Sequence, residues 1–457
     1  MPDSALRPRA AFVWLLYVAG LVALGLFGPW DWDLQPPWNA SAAGFLPAIK
    51  RVPYGDPVSF LTAALDVARG GWVTPANYWI VHLWPPGFPL LEGAAIRMVG
   101  EDGPFLLVLL VASAACSATW MVLLRQRLLQ SWPPLVAGLA PLLPFLFPLT
   151  GLFLLSPLGL SFGETFSISF FFIAYLLAVR AYERGSKVDA VLAGLALAAA
   201  AYFRSQFELI VVFLTLVAIA VFLAAALAFA RGRRKLLPAG TLMAIGITLA
   251  TAHVAMLPWR IHNVLDVGQP GWVQTSTLIA ANSLATEETL LAGHARFVIE
   301  GGGHLACKLE PSFCGKSEPR YFYQAFFNHP AAWIAEKLQR LPTYWLVPPR
   351  PDNLSRPLSA PTGPEVLANL LLLACIAVSM VRLWQLRRHP AFPLHAWFQL
   401  SLYACLAAVY TLAHLEARYF YLPKIFGVVT LLLLLSTGVR TGAPDGAAAG
   451  SQPAKRR

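Results

Sequence analysis

At 457 residues, 57% hydrophobic and 12% charged, with a mean hydropathy of +0.60, the chain carries about half the roughly 25% charge of a soluble domain. That excludes an ordinary water-soluble enzyme and marks a polytopic membrane protein. The net charge of +11 would point to nucleic acid in a soluble protein; here an excess of Lys and Arg on cytoplasmic connections accounts for it, and no nucleic-acid partner is expected.

A membrane span needs roughly 20 apolar residues. Ten stretches qualify, at about 11–28, 104–124, 134–154, 165–180, 188–203, 208–230, 237–257, 365–383, 392–412 and 421–439. Two of them, 165–180 and 188–203, are short. Lipid offers the backbone of separate spans no other partner, so each is expected to be a helix. Residues 11–28 lead into Pro29-Trp30-Asp31 rather than a small-residue cleavage site, so the first span is expected to be retained.

The charges alternate with the spans. Arg7 and Arg9, Arg125 and Arg127, Arg180, Arg184 and Lys187, Arg231 to Lys235, Arg382, Arg387 and Arg388, and Arg440 with the terminal Lys455 to Arg457 form short basic connections. By the positive-inside rule these face the cytoplasm, together with both termini. Almost every Asp and Glu falls in the opposite set. The expected organisation is one all-α transmembrane domain over 1–440, two long outer loops at about 29–103 and 258–363, and a disordered basic tail over 441–457.

Candidate chemistry lies on the outer side. Asp31-Trp32-Asp33 is a D-x-D of the kind that holds a metal and a diphosphate; it equally suits acids flanking a span. In Gly55-Asp56-Pro57 an aspartate precedes an amphipathic helix, with Pro57 in its first turn and Gly70-Gly71 as its stop. Asp56 reads either as that helix's cap or as a base. His82-Leu83-Trp84-Pro85-Pro86-Gly87 is a rigid aromatic turn, an interfacial anchor or a contact for phosphate or acceptor. Glu164, in SFGETF, is a carboxylate at a span edge, and such a group is a functional candidate by default. Arg204 and Arg418 run against the positive-inside bias. Each could grip a lipid phosphate through its planar fork or pair with Glu208 or Glu416. Of the five cysteines, Cys116, Cys375 and Cys405 lie in apolar segments, whereas Cys307 and Cys314 share a polar loop and could pair in an oxidising space. The patch AAWIAEKLQRLPTYWL suits a helix at the interface. No P-loop, G-x-G-x-x-G, H-E-x-x-H or His/Cys cluster occurs, and the basic connections are too short for a nucleotide-binding domain.

The run Gly55-Asp56-Pro57 to HLWPPGFPLLEG resembles the first outer loop of the GT-C membrane glycosyltransferases, and among them the bacterial homologues of the dolichyl-phosphate-mannose–protein mannosyltransferases. That group includes aminoarabinose and galacturonic acid transferases acting on lipid A. FGETFSISFFFIAYLLAVRAYERG, the Gly194 to Arg204 segment, LPWRIHN and HLEARYFYLP agree with it in order. Three features depart from the pattern: Pro57 stands where a second acid is common, His262 stands where arginine is common, and the Trp-Trp-Asp signature of protein N-glycosylation is absent. The resemblance implies a polyprenyl-phosphate sugar donor, a lipid, glycan or protein acceptor, and inverting transfer on the outer face of a bacterial inner membrane. It implies Asp56 as base, Arg204, Arg418 and Arg260 on the donor phosphate, and Glu164, His82, Trp84 and Tyr419 in acceptor or supporting roles. It leaves a divalent metal optional and implies no other cofactor. A transporter or flippase for a lipid-linked sugar would share the outward arginines and apolar spans and stays open as the alternative.

Overall fold

A computed structural model of the chain describes residues 7–28, 38–45, 55–156, 160, 163–231, 239–267, 302–314, 319–346, 363–389, 391–412 and 417–437. The D-x-D at Asp31 and Asp33 and the tail over 441–457 lie outside these residues. Every regular element described is a helix: α1 (Arg7–Phe27), α2 (Gly55–Gly70), α3 (Tyr78–Leu83), α4 (Gly87–Val99), α5 (Phe105–Leu128), α6 (Pro134–Leu139), α7 (Leu143–Leu146), α8 (Pro148–Leu155), α9 (Glu164–Arg184), α10 (Lys187–Phe203), α11 (Ser205–Ala230), α12 (Ala239–Val267), α13 (Gly302–Leu309), α14 (Pro319–Asn328), α15 (Pro330–Leu346), α16 (Gly363–Gln385), α17 (Phe392–Leu412) and α18 (Tyr421–Ser436), with short 3₁₀ turns between some of them.

Helix is described within each of the ten expected spans, but they are not equal. Among the described residues, seven helices are long and apolar enough to cross a membrane. The stretch expected over 134–154 is broken into α6, a 3₁₀ turn, α7 and α8. Pro141, Pro144 and Pro148 each remove a backbone donor and crowd the preceding turn. α10 and α18 are short, at 17 and 16 residues. The span expected to end near 257 instead continues as α12 through Pro258 to Val267. LPWRIHN therefore rides on a helix rather than in a loop. The Tyr202 hydroxyl donates to the Ala255 carbonyl at 3.1 Å, tying α12 to α10 just before the proline.

The core forms around α9, whose apolar stretch is 78% buried against 17% for α1. α9 lies along α5 and α10, α10 along α12, α11 along α17, α16 along α18 and α1 along α5. Helices in lipid gain little from hydrophobic burial and depend on close approach of small residues. At Gly194 on α10 an added Cβ would stand 2.4 Å from the Thr248 carbonyl of α12, and Thr248 donates to the Ala190 carbonyl at 3.2 Å.

Two layers of shorter helices cap the bundle. In the first, α2 packs on α4, where Gly93 meets Val67 and the Ala64 carbonyl. In the second, a disulfide joins Cys307 to Cys314 with Cα atoms 4.6 Å apart. Here the amphipathic patch forms α15, which docks on the bundle. Trp333 donates to the Thr411 carbonyl at 2.7 Å, and Tyr344 stacks on Phe420 at 5.6 Å.

The α10–α12 crossing yields a paired prediction. Gly194→Leu should destabilise the protein by about 1–3 kcal/mol through overpacking. An added Cβ at Gly246 on α12 meets nothing within 4 Å, so Gly246→Leu should cost less than Gly194→Leu. Thermal unfolding in detergent measures both; equal behaviour of the two variants would refute the close crossing.

Candidate active site

The site is built from the layer formed by α2 to α4 and the adjoining ends of α9 to α12. α2 begins at Gly55, which puts Asp56 in its first turn rather than ahead of it. The Asp56 side chain lies outside the described residues, as do those of His82 on α3 and Arg418 in the Ala417–Phe420 turn. One helical turn after Asp56, Phe60 is fully buried. Its ring meets Trp84 at 5.4 Å and Phe88 at 5.5 Å, both edge-on, and lies 5.7 Å from the Arg204 guanidinium carbon. Phe60 thus joins α2, the Trp-Pro-Pro-Gly turn and the junction of α10 and α11.

Arg204 occupies that junction with extended backbone (φ −150°, ψ 126°). The structure pairs it with Glu164, not with Glu208. Arg204 Nη2 stands 2.9 Å from Glu164 Oε1, with both side chains nearly fully buried. Arg204 precedes Glu208 by four residues, but its non-helical backbone removes the facing geometry that an i,i+4 pair needs. Glu164 opens α9 behind Gly163, which has φ +73°, a conformation suited to glycine. A Cβ at Gly163 would also strike the Phe88 ring at 2.8 Å, and one at Gly87 would stand 2.5 Å from the Tyr202 carbonyl. Phe166 stacks on Phe203 at 5.3 Å beside the pair.

A second buried pair lies next along the chain. Arg260 Nε donates to Glu208 Oε1 at 2.9 Å, and its Nη1 meets His253 Nδ1 at 3.0 Å. His253 Nε2 in turn meets the Thr215 hydroxyl at 2.8 Å. One turn of α12 carries Arg260 toward α11 and Trp259 and His262 toward the outer layer. His262 Nε2 is 2.7 Å from the Tyr78 hydroxyl, and its ring stacks on Trp259 at 4.8 Å.

Four of the expected motifs therefore meet: the α2 segment with the Trp84 turn, the Glu164 turn, the Arg204 junction and LPWRIHN. HLEARYFYLP does not join them through described contacts. Its half-buried Tyr419 packs in a separate aromatic cluster with Tyr344, Tyr410 and Phe420. Among the described residues, no group of three His, Cys, Asp or Glu side chains is placed to hold a metal.

Sequence reasoning missed several groups. Asp66 on α2 accepts from Thr74 N at 3.0 Å, from the Thr74 hydroxyl at 2.6 Å and from Asn77 Nδ2 at 2.9 Å. Partial burial raises its pKa, but these donors outweigh that and hold it below the usual carboxylate range. His253 and Lys424 stand buried or half-buried within apolar helices; a lone ionisable residue inside a span is itself the signal that would have found them. Glu92 on α4 is fully buried, and neither carboxyl oxygen meets a hydrogen-bond partner. Burial pushes its pKa well above the ordinary range.

Two predictions follow from these environments. Removing one partner of a buried pair strands the other charge, so Arg204→Met should cost about 3–5 kcal/mol, and adding Glu164→Met should recover much of that loss. Additive losses in thermal unfolding would contradict the coupling. The Glu92 pKa is raised in the folded state, so the stability linked to its proton is complete below the unfolded value of about 4.3 and is lost as pH rises toward the folded pKa. Glu92→Gln should flatten that fall in stability as pH rises above about 4.3; a variant that follows the parent's profile would count against a titrating Glu92.

No protein-family model matches the sequence, and no curated protein sequence does. Solved structures do resemble it. The Archaeoglobus fulgidus oligosaccharyltransferase tethered to an acceptor peptide is 13% identical over 93% of this chain and 49% of that one, with a TM-score of 0.50. The AglB oligosaccharyltransferase of the same organism, in complex with an inhibitory peptide and a dolichol-phosphate, is 13% identical over 93% and 50% at 0.41. ArnT from Cupriavidus metallidurans bound to undecaprenyl phosphate is 11% identical over 93% and 77% at 0.32. The chain spans about half the length of the archaeal enzyme. The first likeness, at 13% identity, is one of fold. Among the described residues the chain is all-helical, has seven helices long and apolar enough to cross a membrane, and shares its fold with the archaeal oligosaccharyltransferase.

Proposed function

We propose that the protein is a glycosyltransferase that moves a sugar from a polyprenyl phosphate to a lipid, glycan or protein acceptor at the outer face of a bacterial inner membrane, with inversion at the anomeric carbon. The observation that carries the reading is the meeting of the α2 layer with the buried Arg204–Glu164 pair and with α12, which carries the second buried pair, Arg260–Glu208, in a fold shared with an oligosaccharyltransferase.

The chemistry needs few parts. The acceptor oxygen attacks the anomeric carbon, the bond from that carbon to the phosphate oxygen breaks, and the acceptor proton passes to a base. Asp56, at the outer start of α2, is the base. The polyprenyl phosphate departs as an anion and needs stabilised charge rather than a general acid. Glu164 holds Arg204, and Glu208 with His253 holds Arg260. Groups held in advance need no reorganisation as charge develops. Each pair is near neutral, so a phosphate there would draw on aimed N–H donors more than on net charge. In this reading Arg418 is a third phosphate ligand, His82, Trp84 and Tyr419 have acceptor or supporting roles, and the apolar spans hold the prenyl chain.

The test compares surface glycolipids and glycans of a deletion strain with those of its parent by mass spectrometry. One glycosyl unit should be missing, and the wild-type gene should restore it. Asp56→Asn, present in the membrane at equal level, should lower transfer by about 10²–10⁴-fold. Full restoration by that variant would remove Asp56 as the base. A purified protein that moves a labelled donor across vesicles without releasing its sugar would instead be a flippase.

A further inference from the structure

We propose that the basic end of the bundle, opposite the candidate active site, holds a specific site for the phosphate headgroup of an anionic membrane lipid. α9 runs from Glu164 to Arg184, so its two ends are on the order of 30 Å apart at 1.5 Å per residue, and the inference does not depend on the transfer chemistry.

A small surface cleft of about 30 Å³, partly open to solvent, lies between α5, α9 and α18. Arg127, Gln130, Arg180, Glu183 and Arg184 line its polar side, and Leu176 and Leu433 lie on its apolar side. Dangling cytoplasmic arginines would satisfy the positive-inside rule, but two of these are fixed. Arg127 Nη2 stands 2.9 Å from Glu183 and also donates to Gln130. Arg180 grips Asp189 with two parallel bonds, Nε at 3.0 Å and Nη2 at 2.5 Å. Asp189 is itself held in the first turn of α10, where its backbone N–H donates to the Ser186 cap at 3.2 Å. One turn beyond Arg180, the exposed Arg184 takes part in no ion pair among the described residues. Three guanidiniums against Glu183 in the cleft and Asp189 behind Arg180 leave one positive charge in surplus, which a phosphodiester monoanion matches. Basic pockets between spans on this side of a membrane recognise acidic headgroups, and the fork of arginine suits phosphate oxygens. The leucines beside the guanidiniums favour a phosphate attached to an acyl chain over a free one.

The test uses the full chain in detergent, with thermal unfolding as the readout. Dihexanoylphosphatidylglycerol should raise the unfolding temperature in a saturable way, and dihexanoylphosphatidylcholine and inorganic phosphate should not. Arg184→Gln should leave the lipid-free unfolding temperature unchanged and weaken phosphatidylglycerol binding about tenfold, the worth of one charged hydrogen-bonding group. Arg184→Lys should restore part of it. Equal shifts from both lipids, or undiminished binding by Arg184→Gln, would overturn the site. A shift from inorganic phosphate equal to that from phosphatidylglycerol would overturn the lipid and assign the cleft to free phosphate.

Discussion

The buried contact between Arg204 and Glu164 constrains more of this structure than any other described. Two charged groups removed from water each lose several kcal/mol of hydration, and their attraction compensates only in a good and fixed geometry. That geometry draws on separate parts of the chain: the left-handed Gly163 that aims Glu164, the extended junction that turns Arg204 away from both its helices, and Phe60 on α2, whose ring faces the guanidinium. The glycines at 87 and 163 lie where neighbouring backbone or ring atoms leave no room for a side chain. Pair, turn and outer layer therefore form as one unit.

The second pair repeats the constraint on the next helices. Arg260 reaches Glu208 only because α12 continues past Pro258 instead of stopping there. The same extension carries Trp259 and His262 to the α2–α3 layer, where His262 meets Tyr78 and Trp259 packs on the cluster of Val67, Ile80 and Val81. A single helical run thus fixes a charge inside the bundle and an aromatic contact outside it. Outer loop and membrane core are coupled through α12 as they are through Phe60.

This coupling divides what the sequence reveals from what it conceals. Spans are legible because lipid demands long apolar runs, and the charge alternation orders them. Their interruptions are only partly legible: the prolines of 134–155 break a helix, yet Pro258 does not, because neighbouring helices hold α12 together around it. Partners are the least legible. The spacing of Arg204 and Glu208 suggests a helical pair, and only the backbone at 204 shows that each belongs to another residue. The motifs at Asp56, Trp84, Glu164 and Arg204 were readable as a set, whereas Asp66, Glu92 and His253 gain meaning only from what surrounds them in space. Asp66 in particular looks like any helix-surface acid until Thr74 and Asn77 fold back onto it.

The two ends of α9 show how similar residues do different work under different wetting. At the outer end Arg204 and Glu164 are 5% and 2% exposed. There the interaction is strong and rigid, and loss of either partner leaves an uncompensated charge. At the basic end Arg180 and Asp189 are 27% and 10% exposed, and Arg127 and Glu183 13% and 26%. Water screens these pairs, so they add little to stability, but they hold guanidiniums in orientation at a surface where another anion can approach. Dry pairing serves geometry and wet pairing serves exchange. The helix at the centre of the core carries one kind at each end, so the donors at one end are fixed in a dry contact and those at the other stay open to solvent.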